Sequence, residues 1–159
     1  MLARDIMIPD VIVVEADATL AEAARLMLRH GINGMPVVDA AGKVAGMIGI
    51  KDILRAPAPS GSDTWINRWT SLEDKAESLK RTPVRQVMAR HVYAVTEHTP
   101  LVEVMARMTN WGTHPIPVLR HGRAVGIIGR ADAARLLLAM ANDEEVDPLL
   151  GEACDGAAS

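Results

Sequence analysis

The residues best suited to chemistry in this 159-residue chain belong to a phrase that occurs twice. Residues 46–54 read GMIGIKDIL and residues 126–134 read GIIGRADAA. Each phrase sets two glycines three apart and an aspartate three further on: Gly46, Gly49 and Asp52, then Gly126, Gly129 and Asp132. Each stands where an apolar, strand-like run gives way to a helical pattern. The aspartate therefore falls at a helix start, where free N–H groups favour negative charge. A glycine lets a ligand approach the backbone closely. A carboxylate has two acceptor oxygens and can take both hydroxyls of a sugar. The same aspartate can also do no more than complement its helix dipole. Lys51 and Arg130, next to the aspartates, can supply positive charge to an anion or remain solvated cations at a helix end.

The elements that must position these residues are themselves duplicated. Residues 4–54 and 85–134 register throughout with one gap near Ala41: Arg4 with Arg85, Met7 with Met88, Leu20 with Leu101, Gly31 with Gly112, Pro36 with Pro117, Asp52 with Asp132. An internal repeat of this quality means one structural unit used twice. In the first copy VIVV is a short β-branched strand. Thr19 can cap the next segment, Glu22 completes a capping box and Gly31 can close the helix. Leu20, Ala23, Ala24, Met27 and Leu28 share a face of that helix. MPVVD and KVAGMIGI read as neighbouring strands around a turn, with Pro36 at a first position or an edge. KDILRA begins a second helix. The second copy repeats the order with VYAV, a helix from Pro100 in its first turn, IPVL, RAVGIIG and RADAARLLLAMA. Each unit is β-α-β-β-α. Some fifty residues struggle to bury an apolar face alone, so two units are expected to pack sheet to sheet.

Composition narrows the function. Net charge is −3, which does not point to nucleic acid or an anionic membrane. The chain has no Phe, so its core must come from aliphatic residues and Met. The one cysteine, Cys154, has no partner for an internal disulfide and no metal-ligand cluster around it. The start lacks the apolar region of a signal peptide, and no run approaches a membrane span. These features predict a soluble, cytoplasmic protein. No phosphate loop, paired metal motif or nucleophile–base pattern marks an enzyme. A Gly-x-x-Gly loop can clamp RNA, but here the glycines enclose apolar residues within strands.

The paired motifs resemble a tandem of CBS domains, the family named for cystathionine β-synthase, from Ala3 to about Ala141. The resemblance implies an α+β fold with pseudo-two-fold symmetry and a cleft on each side. It implies a regulatory, non-catalytic module that binds an adenosine-containing ligand in the inter-repeat cleft and signals to a client protein. AMP, ADP or ATP are the expected ligands, with NAD and S-adenosylmethionine as further possibilities and no required cofactor. It also implies a homodimer, formed through the repeat helices. Asp52 and Asp132 become ribose-binding aspartates. The family phrase usually carries Ser or Thr where this chain has Gly49 and Gly129. Phosphate-binding members often carry His-Arg before the Met-Pro or Ile-Pro pair; here Asn33-Gly34 and His114-Pro115 stand there. Met35, Pro36, Ile116 and Pro117, with the segment entries Met7, Ile8 and Met88, are the aliphatic candidates for an adenine wall. The Asp132 side is favoured, because His114 and Arg130 carry more positive charge than Asn33 and Lys51. The alternative is a ligand-free scaffold of the same fold.

The expected organisation is repeat 1 over 1–56, a connector over 57–82, repeat 2 over 83–142 and a flexible tail over 143–159. In the connector, Asp63 can cap a helix whose Trp65, Trp69, Leu72, Ala76 and Leu79 form a stripe, for this module or for a partner.

Overall fold

The computed structural model describes residues 1–56, 72–110, 112 and 115–142. Two compact units divide the chain. The Asp52 unit runs from Ile12 to Val92, and the Asp132 unit joins Met1–Val11 to the chain from Tyr93 onward. The Asp52 unit contains β1 (Val14–Glu15), α1 (Leu20–His30), β2 (Gly34–Val38), β3 (Val44–Gly49), α2 (Ile50–Arg55) and α3 (Leu72–Arg81). The Asp132 unit contains α4 (Leu101–Asn110), β4 (Ile116–Arg120), β5 (Arg123–Ile128) and α5 (Arg130–Ala141). The fold is α+β, and each unit holds a small sheet.

In the Asp52 unit β2 lies between β1, which is parallel to it, and β3, which is antiparallel. VIVV yields less strand than its composition predicts: only Val14 and Glu15 pair, opposite Val37 and Val38. In the Asp132 unit the corresponding segment shrinks to Val95 alone, bridged to Val118. Its N–H donates to the Pro117 carbonyl, and its own carbonyl accepts from Leu119. Pro36 lies inside β2 rather than at its start. Its partner Met47 turns both backbone groups away from β2, to Ala89, at 2.9 and 2.8 Å. A proline at such a non-hydrogen-bonded pair forfeits no ladder bond to β3. Pro117 repeats the arrangement opposite Ile127, which bonds Ile8.

Thr19 caps α1 as its sequence requires. Glu22 N–H donates to Thr19 Oγ1 at 3.2 Å, and Thr19 N–H donates to Glu22 Oε2 at 2.7 Å. Gly31 closes the helix at φ 61°, a left-handed conformation that glycine adopts without steric cost. Leu20, Ala23 and Met27 are buried, but Leu28 is 77 % exposed, so the apolar stripe is narrower than the sequence periodicity suggests. Pro100 stands just before α4 instead of in its first turn, and its carbonyl accepts from the N–H groups of Glu103 and Val104.

Each sheet is completed by the segment that leads into the other repeat. Residues Ala3–Asp5 form a 3-10 turn in the Asp132 unit, with Ala3 N–H on Thr99 O and Arg4 N–H on Glu97 O. Ile8 then exchanges two backbone hydrogen bonds with Ile127, at 2.9 and 3.0 Å. Residues Val84–Gln86 form the matching turn in the Asp52 unit, with Val84 N–H on Ala18 O and Arg85 N–H on Ala16 O. The two cores mirror each other position by position. Val14, Leu20, Ala23, Met27, Met35, Val37, Ile48, Ile53, Ala56 and Val84 fill one; Val95, Leu101, Val104, Met108, Ile116, Val118, Ile128, Ala133, Leu136 and Ala3 fill the other. The last pair is crossed: Val84 from before the second repeat serves the first core, and Ala3 serves the second.

Trp65 and Trp69, the first part of the connector stripe, and Asp63, the expected cap before it, lie outside the described residues, as does the tail from residue 143. In the described part, α3 rests against α1, but the stripe is not its buried face. Leu72 is 83 % exposed and Ala76 is exposed, whereas Ser78 is buried and Leu79 partly so. Ser78 satisfies its hydroxyl locally by donating to the Lys75 carbonyl at 2.8 Å. Lys75 Nζ in turn donates to the Leu54 carbonyl.

Candidate functional site

The two glycines of each phrase do different work. The first makes room for a methionine. A Cβ at Gly46 would stand 2.6 Å from Met88 Sδ and 2.9 Å from Ala89 O. A Cβ at Gly126 would stand 2.4 Å from Met7 Sδ. Real Cβ atoms do not approach so closely, so these glycines are where the lead segments cross their sheets.

The second glycine is the residue before a helix. Gly49 and Gly129 are extended, with ψ 169° in both, so neither needs a positive φ. Gly49 N–H donates to Asp52 Oδ2 at 2.8 Å, and Gly129 N–H donates to Asp132 Oδ2 at 2.7 Å. One carboxylate oxygen of each aspartate thus satisfies a backbone donor at its own helix start, the local role that the helix-dipole reading anticipates. A Cβ at Gly49 would lie 3.1 Å from the Asn33 carbonyl, and one at Gly129 would lie 3.1 Å from Asp132 Oδ2. A larger residue there crowds the aspartate or the β2 lead-in. The Asn33 carbonyl also accepts from Ile50 N–H at 3.0 Å, which pins the start of β2 to the start of α2.

The second carboxylate oxygens differ. Asp132 Oδ1 accepts from Arg135 Nη1 at 2.7 Å, and the Asp132 side chain is 12 % exposed. Asp52 Oδ1 has no partner among the described residues, although Arg55 occupies the position equivalent to Arg135. Arg135 is the residue that the sequence analysis passes over, and the Asp-x-x-Arg spacing in both repeats is the signal that could have found it.

The candidate residues sort by unit. The Asp132 unit collects Met7, Ile116, Pro117, Gly129, Arg130 and Asp132; the Asp52 unit collects Asn33, Met35, Pro36, Gly49, Lys51, Asp52 and Met88. His114 lies outside the described residues. Arg130 and Lys51 are exposed at the first turns of α5 and α2, with no ion pair among the described residues. Met35 and Ile116 have no exposed surface and belong to the cores; Pro36 and Pro117 are also fully buried. Met7 and Met88 are only partly buried and keep surface available. Among the described residues no cluster of His, Cys, Asp and Glu could hold a metal ion. No described helix is long and apolar enough to cross a membrane.

The CBS domain family matches this chain over residues 3–59 and 84–139. The chain belongs to that family and carries its domain in tandem. The CBS domain of a CBS domain-containing membrane protein from Sphaerobacter thermophilus is 30 % identical, with 86 % of this chain and 87 % of that one covered, at a TM-score of 0.69. The CBS domain pair of the protein MJ0100, solved with 5′-methylthioadenosine and S-adenosyl-L-methionine, is 26 % identical, with 88 % and 98 % covered, at a TM-score of 0.69. An uncharacterised 17.7 kDa protein of Acidianus ambivalens is 30 % identical over 129 residues, 80 % of this chain and 68 % of its own length.

Proposed function

We propose that the chain is a regulatory module that binds an adenosine-containing ligand of the AMP, ADP or ATP class beside Asp132, Asp52 or both, and signals its presence to a client protein. The observation that carries the reading is the solved CBS pair that holds two adenosine compounds, taken with the repeated glycine–aspartate junction of this chain. In this reading Asp52 Oδ1 or Asp132 Oδ1 takes the ribose hydroxyls, while Oδ2 stays on its backbone donor. Arg130 and Lys51 face the ligand's negative charge. Met7 and Met88 border the base, because these lead-segment residues, with Ile8 beside Met7, combine apolar character with remaining exposure, whereas Ile116, Pro117, Met35 and Pro36 are buried. The module is not itself an enzyme, and it works in the cytoplasm as a homodimer. Leu28 and Val102, 77 % and 76 % exposed on α1 and α4, are apolar surface that a second copy would cover.

A ligand-free scaffold is the competing reading, and the internal engagement of both Asp132 oxygens favours it. A melting series separates the two. At about 100 times its dissociation constant a ligand stabilises the fold by roughly 2.7 kcal/mol. At about 2–4 °C per kcal/mol, this raises Tm by roughly 5–11 °C. The parent, Asp52→Asn and Asp132→Asn are melted with AMP, ADP, ATP, NAD and S-adenosylmethionine. A shift that one substitution weakens supports the reading. No shift with any compound leaves the scaffold, and a shift indifferent to both substitutions places the ligand elsewhere.

A further inference from the structure

The Asp132 unit holds a contact that the Asp52 unit lacks. Arg135 Nη1 donates to Asp132 Oδ1 at 2.7 Å while Gly129 N–H occupies Oδ2 at 2.7 Å. Both oxygens of a carboxylate that is 12 % exposed are therefore engaged. The chain repeats the same spacing at Asp52 and Arg55, yet Asp52 Oδ1 stays unpartnered among the described residues. A ribose that places both hydroxyls on Asp132 Oδ1 needs both acceptor sites of that oxygen and must displace the guanidinium. The exchange replaces a charged donor with neutral hydroxyls, and charge-assisted bonds are roughly twice as strong as neutral ones. It also leaves a guanidinium without its anion. The release itself is easy, because the Arg135 side chain is 50 % exposed and such pairs are screened by water. What decides the exchange is the next partner of the guanidinium, and a phosphate fits its planar fork with two parallel hydrogen bonds.

We infer that Arg135 is a specificity residue of the Asp132 site and selects phosphorylated over unphosphorylated adenosine. The inference rests on the reading that an adenosine ligand binds at Asp132. Without ligand, Arg135 closes the carboxylate. With a nucleotide, the ribose hydroxyls take Asp132 Oδ1 and the phosphate takes Arg135, one helical turn away on α5. A nucleoside that lacks phosphate must break the same ion pair and gives the guanidinium nothing in return. Arg135 is thus both the lock on the carboxylate and the receptor for the group that opens it.

The test compares calorimetric titrations of adenosine and AMP in an Asp52→Asn background, so that the Asp132 site alone is read. With Arg135 intact, AMP is expected to bind about tenfold to a hundredfold more tightly than adenosine, the scale of one hydrogen bond to a charged group. In Arg135→Gln the preference is expected to fall severalfold, leaving the part that Arg130 supplies. Adenosine should also bind more tightly to this variant than to the parent, which a residue that merely supports the fold would not produce. Arg135→Lys keeps the charge without the fork and should retain part of the preference; it serves as the reading if Arg135→Gln does not fold. Asp132→Asn reports that the titrated site is the intended one. Binding that Asp132→Asn weakens, with a preference unchanged by either Arg135 substitution, overturns the role of Arg135 and leaves the adenosine reading standing. Equal affinity of the parent for adenosine and AMP overturns it as well. Absence of binding by every protein overturns the adenosine reading and this inference together.

Discussion

Gly126→Ala probes the crossing of the lead segments. The added Cβ would meet Met7 Sδ at 2.4 Å, Cγ at 2.7 Å and Cβ at 2.9 Å. Sδ and Cγ can swing aside, but the Met7 Cβ moves only with its backbone. That backbone is anchored one residue on by the two Ile8–Ile127 hydrogen bonds. Overpacking of this kind costs roughly 1–3 kcal/mol. At about 2–4 °C per kcal/mol, Tm should fall by roughly 2–12 °C. Met7→Ala removes two of the three clashing atoms. Gly126→Ala should therefore cost less in a Met7→Ala background, with a coupling of about 0.5–3 kcal/mol, the range for residues in contact. Chemical denaturation of the parent, both single variants and the double variant measures that coupling. Met88→Ala is the control, because Met88 lies over Gly46 in the other unit. Coupling of Gly126 to Met88, with strict additivity between Gly126 and Met7, would show that each repeat keeps its own lead segment and would refute the crossed arrangement.

Three further outcomes follow from individual contacts. Thr19→Ala removes the side-chain acceptor of Glu22 N–H and should destabilise the protein by about 1 kcal/mol in a urea melt. Glu97 accepts two hydrogen bonds from Arg120, at 2.7 and 2.5 Å, and this pairing holds its carboxyl below the usual carboxylate range. A depressed folded-state pKa gives stability that is present above the unfolded value of about 4.3 and is lost as pH falls through the lower folded value. Glu97→Gln should accordingly melt below the parent at neutral pH, and the two curves should converge as the pH drops beneath that window. Sedimentation at micromolar concentration should find a dimer, and Leu28→Glu with Val102→Glu should shift it toward monomer; a parent that sediments as a stable monomer removes the homodimer.

Much of the local structure is legible in the sequence because it is encoded locally. The Thr19–Glu22 box, Gly31 at a positive φ and the glycine–aspartate junctions depend on residues within a few positions of one another. The crossing of the lead segments is not legible, for a reason rooted in the duplication. Met7 and Met88 are equivalent, as are Gly46 and Gly126, so the sequence carries the pairing Met–Gly without saying which copy serves which. The same degeneracy hides the difference between the aspartates: Arg55 and Arg135 have equal spacing from them, and only the folded chain engages Arg135. Periodicity over-extends the apolar faces. It puts Leu28 on the apolar face of α1, and Leu72 and Ala76 on the connector stripe, and the folded chain leaves all three exposed. β-branched composition likewise over-extends the first strands, because VIVV and VYAV find partners only at their ends, where β2 and β4 offer backbone groups.

Native mass spectrometry of the full chain, purified from cells without added ligand, bears most directly on the regulatory reading. The expected spectrum shows the folded protein carrying the mass of an adenosine-containing compound, with occupancy reduced in Asp132→Asn or Asp52→Asn. A chain that emerges bare, and stays bare after incubation with AMP, ADP, ATP, NAD and S-adenosylmethionine, would contradict it.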